Sequence, residues 1–108
     1  MFFGRKGKPG GEGVKKAKKL NEKMLKCVTE RTENGDKVIS RSAVFLYRDG
    51  FLEIYDGPDV IFKCRPEEME AGELMSLEGI IITAPDYSRG GETVTVVAYY
   101  KYWREVSN

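Results

Sequence analysis

The stretch that decides the fold is Glu92–Arg104, ETVTVVAYYKYWR. It is the longest run of β-branched and aromatic residues in the chain, and such residues favour β-strands. It holds the only tryptophan and three of the six tyrosines. Because both of its alternating faces carry large side chains, we expect a strand that is covered on both sides along part of its length, as in a closed or strongly curled sheet. The expected core face is Val94, Val96, Ala98 and Tyr100.

Upstream of this strand, the chain alternates strand-like segments with turn signals. Asn34-Gly35 and Asp49-Gly50 each predict a hairpin, because a type I′ turn needs a positive φ at both central residues. Pro66–Gly72 interrupts the pattern as an acidic helical turn or loop. About seven strands are therefore expected, and tight turns between them are typical of an antiparallel meander. The six that precede Glu92–Arg104 are Lys26–Thr32, Lys37–Tyr47, Phe51–Tyr55, Val60–Cys64, Leu74–Leu77 and Ile80–Ala84.

One short helix is predicted at Glu12–Met24. Its apolar residues recur at helical spacing and form a narrow stripe; they are Val14, Ala17, Leu20 and Met24. Ahead of it, Gly10-Gly11-Glu12-Gly13 is interpreted as a flexible hinge, and residues 1–11 as a flexible basic arm. Residues 12–108 are expected to form a single domain. Its predicted class is mainly β (α+β), an antiparallel meander that forms a barrel or roll.

The charge of the chain is divided unevenly between its two parts. Residues 1–26 contain nine Lys/Arg and two acidic residues, whereas the remainder contains nine and fifteen, so that a net charge of +7 precedes one of −6. A basic segment is thus joined to an acidic body. It could attract an anionic membrane or nucleic acid by releasing counterions. It could equally be a solvated helix face and a solubilising tail that lies on the acidic body.

Several kinds of chemistry are not expected from this composition. Without histidine, the chain lacks His-dependent catalytic triads and the commonest zinc ligand sets. Cys27 and Cys64 are too far apart for a CxxC pair and are interpreted as buried thiols. The acidic residues between 67 and 73 are interpreted as a solvated loop rather than catalytic carboxylates. We therefore predict no catalytic residue, no metal ligand and no cofactor.

The location expected from the sequence is the cytoplasm. The longest apolar runs are only a few residues long, whereas a membrane-spanning helix needs about 20. The start, MFFGRKGKPGG, lacks the apolar centre of a secretory signal.

Two sets of residues are candidates for binding. The first, for anions, is the basic set Arg5, Lys6, Lys8, Lys15, Lys16, Lys18 and Lys19. The second, for contact with a partner, is aromatic: Phe2, Phe3, Tyr99 and Trp103. The aromatic residues of Glu92–Arg104 could stack on single-stranded nucleic acid, but the acidic body favours packing within the sheet. Tyr99 and Trp103 are then expected to pack against the helix or, alternatively, to meet a partner.

The order of strands resembles the small PH-like (GRAM-like) barrels of bacterial proteins. The resemblance rests on AVFLYRDGFLEIYDGPDVIFKC (Ala43–Cys64), followed by LMSLEGIIITAP (Leu74–Pro85) and TVTVVAYYKYW (Thr93–Trp103). PH-like domains normally end in a helix that plugs the barrel, and here the helix at Glu12–Met24 is expected to cover the sheet from the other terminus. The resemblance implies a binding module without catalysis. It does not imply phosphoinositide binding, because Glu33–Asp36 replaces the basic loop.

Three functional hypotheses follow. The first is a non-enzymatic cytoplasmic module that binds a protein partner or forms a homo-oligomer. The second is a peripheral binder of an anionic membrane or nucleic acid through residues 2–19. The third is a small enzyme or ligand carrier that uses the inside of the roll.

Overall fold

The fold is an eight-stranded antiparallel sheet with one helix, seen in a computed structural model that describes residues 9–102 and their side chains from residue 12. A mainly β fold with a short N-terminal helix is therefore confirmed. The elements are α1 (Pro9–Leu20), β1 (Met24–Thr32), β2 (Gly35–Ser40), β3 (Ala43–Arg48), β4 (Phe51–Asp56), β5 (Asp59–Cys64), β6 (Glu70–Glu73), β7 (Gly79–Asp86) and β8 (Glu92–Tyr100).

The strand at Glu92–Tyr100 lies inside the sheet, whose order is β5-β4-β3-β1-β8-β7-β6, with β2 added beside β1. It pairs with β1 from Leu25 to Glu30, and its residues from Glu92 to Tyr99 pair with β7. Its predicted core face is confirmed, because Val94, Val96, Ala98 and Tyr100 are all buried. Val97, on the other face, is also buried, which confirms that both faces are covered at the centre of the strand.

The sheet does not close into a barrel; of the two predicted forms, barrel or roll, it is an open roll. Its end strands, β5 and β6, do not pair with each other. Instead, a single carboxylate joins the free edge of β5 to the end of β7: Asp86 Oδ1 accepts a hydrogen bond from the Lys63 amide at 3.0 Å. The same oxygen accepts from the Ser88 amide at 2.9 Å and the Ser88 hydroxyl at 2.6 Å. We call Asp86 with these donors the edge clasp.

The edge clasp is fixed from a second side by Arg89, in the 3₁₀ turn that follows β7. Arg89 Nε lies 3.5 Å from Asp86 Oδ2, and its guanidinium binds both carboxylate oxygens of Glu30 on β1. These hydrogen bonds hold the pKa of the Glu30 carboxyl below its usual value. The turn after β7 is thereby tied to two other strands, and Asp86 is completely buried.

The helix covers the core side of the roll and contacts β3, β6 and the 3₁₀ turn Pro66–Glu68. Ala17 and Leu20 join the buried cluster of the sheet, as the predicted stripe requires. The helix begins at Pro9 and ends at Leu20, whereas Glu12–Met24 was predicted. The interpretation of Gly10–Gly13 as a flexible hinge is wrong, because these residues belong to α1. Residues 1–8 of the predicted arm lie outside the described residues.

The close approach of α1 to Pro66 explains why a glycine, Gly13, occurs inside the helix. A Cβ built on it would lie 1.9 Å from the carbonyl oxygen of Pro66, so only glycine allows α1 to approach the 3₁₀ turn this closely. Met24 leaves the predicted helical stripe because β1 begins there and pairs with β3. The contact of Gly13 with Pro66 joins distant segments, so local propensity could not indicate it.

The hairpins are confirmed, although one turn type differs. Asp49 (φ 55°) and Gly50 (φ 82°) both have positive φ, as a type I′ turn requires. In the first hairpin Thr32 pairs with Gly35, so the turn residues are Glu33-Asn34 and only Gly35 (φ 109°) is positive. The prediction of a type I′ turn at Asn34-Gly35 is therefore wrong.

The strand count rises from about seven to eight for two local reasons. The predicted strand Lys37–Tyr47 divides into β2 and β3 at Arg41-Ser42, where the Ser40 hydroxyl exchanges hydrogen bonds with the Ser42 backbone. The predicted strand Leu74–Leu77 is instead a turn. The strand that pairs with β7 is the preceding segment, Glu70–Glu73, where Ala71 faces Ile82.

Candidate functional site

The predicted anion-binding lysines lie on the solvent side of α1. Lys15, Lys18 and Lys19 are exposed and Lys16 is half-buried. Among the described residues, no carboxylate lies within 4.0 Å of these ammonium groups, so this part of the basic segment does not pair with the acidic body. The other members of the set, Arg5, Lys6 and Lys8, lie outside the described residues.

The predicted partner-contact residue Tyr99 is half-buried on the outer face of the sheet, beside Cys27 and Gly79. The helix lies on the core side, where Tyr100 joins the buried cluster with Ala17. Tyr99 therefore points away from α1, and the expectation that it packs there is wrong. Phe2, Phe3 and Trp103 lie outside the described residues.

Exposed apolar side chains concentrate at one end of the β7–β8 ladder. In residues 12–102, six large apolar side chains are exposed, and four of them lie at this end. Met75 is fully exposed (102%), followed by Leu77 at 63%, Tyr102 at 46% and Met24 at 45%. We call these four residues the end patch.

Backbone hydrogen bonds bring the members of the end patch together. The Tyr100 amide donates to the Glu78 carbonyl at 2.8 Å, which places the β6–β7 turn beside the end of β8. The Lys101 amide donates to the Met24 carbonyl at 2.9 Å, which places the start of β1 on the other side. Segments distant in sequence therefore meet at this end of the sheet.

The turn that carries Met75 and Leu77 is ordered by its own hydrogen bonds. The Leu77 amide donates to the Leu74 carbonyl at 2.8 Å, and the Leu74 amide donates to the Gly79 carbonyl at 2.9 Å. Leu77 has a φ of 64°, a left-handed conformation that costs a branched residue about 1–2 kcal/mol. A large apolar side chain is thus held in water on a strained backbone, a combination that points to function.

Charged residues surround the end patch. Lys101 lies 5.4 Å from the centre of the Tyr102 ring, and Lys26 is exposed on β1. On the hairpin side, Glu73 accepts a hydrogen bond from the buried Tyr100 hydroxyl at 3.2 Å. Burial, with the nearby Glu73 carboxylate, raises the pKa of Tyr100. This tyrosine therefore stays neutral and acts as a hydrogen-bond donor.

A second polar cluster lies on the outer face of β4. The buried Glu53 carboxylate binds Arg48 at 3.4 Å and Lys63 at 3.8 Å. Lys63 and Arg65 also lie over the Phe51 ring, at 4.5 and 5.3 Å from its centre. Because these cations already have partners within the fold, we interpret the cluster as part of sheet packing.

In residues 9–102, no three His, Cys, Asp or Glu side chains are grouped so that they could hold a metal ion. No helix in this part of the chain has the length and apolar character needed to cross a bilayer.

Comparisons with protein-family models, with curated proteins and with solved structures gave no match. The resemblance to PH-like barrels stays a prediction.

The sequence did not indicate the end patch. Met24 was predicted on the helix stripe and Leu77 in a strand, and Tyr102 fell within the predicted last strand, Glu92–Arg104. One signal was present: Leu74–Leu77 is followed by Glu78-Gly79, a polar turn ahead of the β-branched run of β7. Its apolar residues could have been interpreted as a turn tip rather than a strand.

Proposed function

We propose that the chain is a non-enzymatic cytoplasmic interaction module that binds a protein partner through the end patch. The observation that carries the proposal is the exposure of Met75 and Leu77 on an ordered turn beside Met24 and Tyr102. Full burial of one such side chain contributes about 1.5–3 kcal/mol. Met75 and Leu77 alone would therefore supply about 3–6 kcal/mol before the costs of association.

The composition of the end patch supports a protein as the partner. Methionine is flexible and polarisable, and tyrosine combines an apolar ring with a polar tip, so both types occur at protein interfaces. The rim contains charges of both signs, among them Lys101 and Glu78, which suits a protein better than a uniformly anionic surface. Two free cysteines, Cys27 and Cys64, are compatible with the reducing cytoplasm.

The free edge of β2 is a less suitable contact. Its exposed residues include Asp36, which lies 3.5 Å from Arg31, and Lys37. Charged side chains on an edge strand hinder pairing with another chain. Contact through side chains of the end patch is therefore favoured over the addition of a strand.

Site-specific photo-crosslinking in cells tests this function. A photoreactive amino acid at Met75 should give discrete adducts with protein, because this side chain is fully exposed at the centre of the turn. The same amino acid at Asn34, exposed in the β1–β2 turn, is the matched control and should give none. Leu77→Glu should abolish the Met75 adducts without unfolding the chain. Equal adducts at Met75 and Asn34 would refute the proposal.

A second candidate function is binding of an anionic membrane or nucleic acid through the basic N-terminal segment. It is favoured by the exposure of Lys15, Lys18 and Lys19 on one helix, free of ion pairs within the described residues. Since Ala17 and Leu20 belong to the core, deletion of the helix would unfold the chain. Substitution of the three lysines by glutamate avoids this. The candidate is abandoned if the unaltered chain binds neither anionic vesicles nor RNA at about 50 mM salt.

A further inference from the structure

We infer that the partner of the end patch is a second copy of this chain, related to the first by a two-fold axis. The inference rests on the proposed function, since it uses the same surface. It comes from the way in which charges and apolar side chains are distributed over the end patch and its rim.

The two sides of the end patch carry opposite charges. Sheet order places β1 on one side of β8, and β7 with β6 on the other. We call the side of β1 the strand side and the side of the β6–β7 hairpin the hairpin side. Lys26 on β1 and Lys101 after β8 make the strand side positive. Glu73 on β6 and Glu78 before β7 make the hairpin side negative. In the turn before β1, Glu22 is exposed, and Lys23 lies over the Tyr100 ring with its ammonium nitrogen 5.3 Å from the ring centre.

The apolar side chains are divided in the same direction. Met75 and Leu77 project from the hairpin side, on the tip of the β6–β7 turn. Met24 and Tyr102 are only half as exposed as Met75 and lie on the strand side, where backbone hydrogen bonding continues the sheet. One side therefore offers the more exposed apolar side chains, and the other offers the less exposed ones.

A two-fold axis through the end patch matches both divisions at once. In such an isologous contact, residue i of one copy meets residue j of the other, and j meets i in return. The hairpin side of each copy then faces the strand side of its partner. Met75 and Leu77 pack on Met24 and Tyr102, and the rim pairs opposite charges, including Lys101 with Glu78.

Sedimentation equilibrium of the full chain tests the inference. The unaltered chain should dimerise. In each of the charge-reversed variants, Lys101→Glu and Glu78→Lys, the dissociation constant of the dimer should rise roughly tenfold, because like charges then lie opposite each other twice per dimer. Lys101 is exposed and Glu78 is half-buried, and circular dichroism verifies that both variants fold. An equimolar mixture of the two should restore dimers, because all the opposite pairs re-form between unlike chains.

The outcomes separate this inference from the function on which it rests. A chain that is monomeric up to about 100 μM would overturn the inference, as would variants that do not complement each other in the mixture. If Met75 still crosslinks to a different protein, the proposed function stands and the second copy is rejected. If the monomer instead floats with vesicles containing about 30% phosphatidylserine and Leu77→Glu prevents this, the occupant is a lipid surface and both proposals fail.

Discussion

Replacement of Asp86 tests whether one carboxylate closes the open side of the roll. In Asp86→Ala, the Lys63 amide and both donors of Ser88 lose their acceptor. A hydrogen bond to a charged group contributes about 1.5–3 kcal/mol, and water can replace the acceptor for the exposed Ser88 but less readily for the half-buried Lys63 amide. We therefore expect the free energy of unfolding to fall by about 2–4 kcal/mol.

Urea denaturation measures this loss. For a chain of this size the m value is about 1.5 kcal/mol/M, so a loss of about 3 kcal/mol lowers the midpoint by about 2 M. Asp86→Asn keeps an oxygen in the position of Oδ1 and should lose less than half as much. Ser88→Ala removes only a bond at an exposed residue and should lose about 1 kcal/mol or less.

Hydrogen exchange supplies a local measurement of the same contact. The Lys63 amide should exchange faster in Asp86→Ala, while amides at the centre of the β1–β8 ladder change only with global stability. The edge clasp would be refuted if Asp86→Ala unfolded at the same midpoint as Ser88→Ala and left the exchange of Lys63 unchanged.

Two further predictions concern the contact of α1 and the buried thiol. Gly13→Ala should lower the thermal midpoint although alanine favours helices, because its Cβ would overlap the Pro66 carbonyl, whereas Gly72→Ala, with open space around it, should have little effect. Burial, with the charge of Asp86, raises the pKa of the Cys64 thiol from 9.0 to about 12. The stability that the neutral thiol contributes is therefore complete below pH 9 and is lost as the pH rises toward 12. Unfolding midpoints measured between pH 9 and 12 should show this loss.

A different result would contradict each of these two predictions. Equal midpoints for Gly13→Ala and Gly72→Ala would show that α1 can move away from Pro66 without cost. For the thiol, Cys64→Ala should flatten the loss of stability between pH 9 and 12; an unchanged slope would assign that loss to other groups.

The sequence predicted those parts of the fold that depend on neighbours in the chain. Asp49-Gly50 determines its turn because both residues tolerate positive φ, and the alternation in Glu92–Tyr100 identifies the buried face of the strand. The helix was also recognised from its stripe, of which Ala17 and Leu20 are buried as expected. In each case the signal is local and its physical cause lies within a few residues.

The remaining features depend on contacts between distant segments. Gly13 suggested flexibility until Pro66 was placed against it, and Asp86 resembled an ordinary turn residue until β5 came within hydrogen-bond distance. The candidate site is the extreme example. Met24 and Leu77 share a surface only because β8 lies between β1 and β7, and no spacing along the chain records that adjacency.

The position of β8 between β1 and β7 also affects the order in which the chain can fold. The meander β3–β4–β5 closes through short turns and can form early. In contrast, β1 can pair with β8, as Leu25 does with Tyr100, only after the end of β8 has been synthesised. Closing so long a loop is costly in chain entropy and slow. Until Glu92–Tyr100 has left the ribosome, the edge of β1 and the buried face that contains Val28 stay open to other chains. A nascent chain stalled before Glu92 is therefore the species in which aggregation, or protection by a chaperone, is expected to begin.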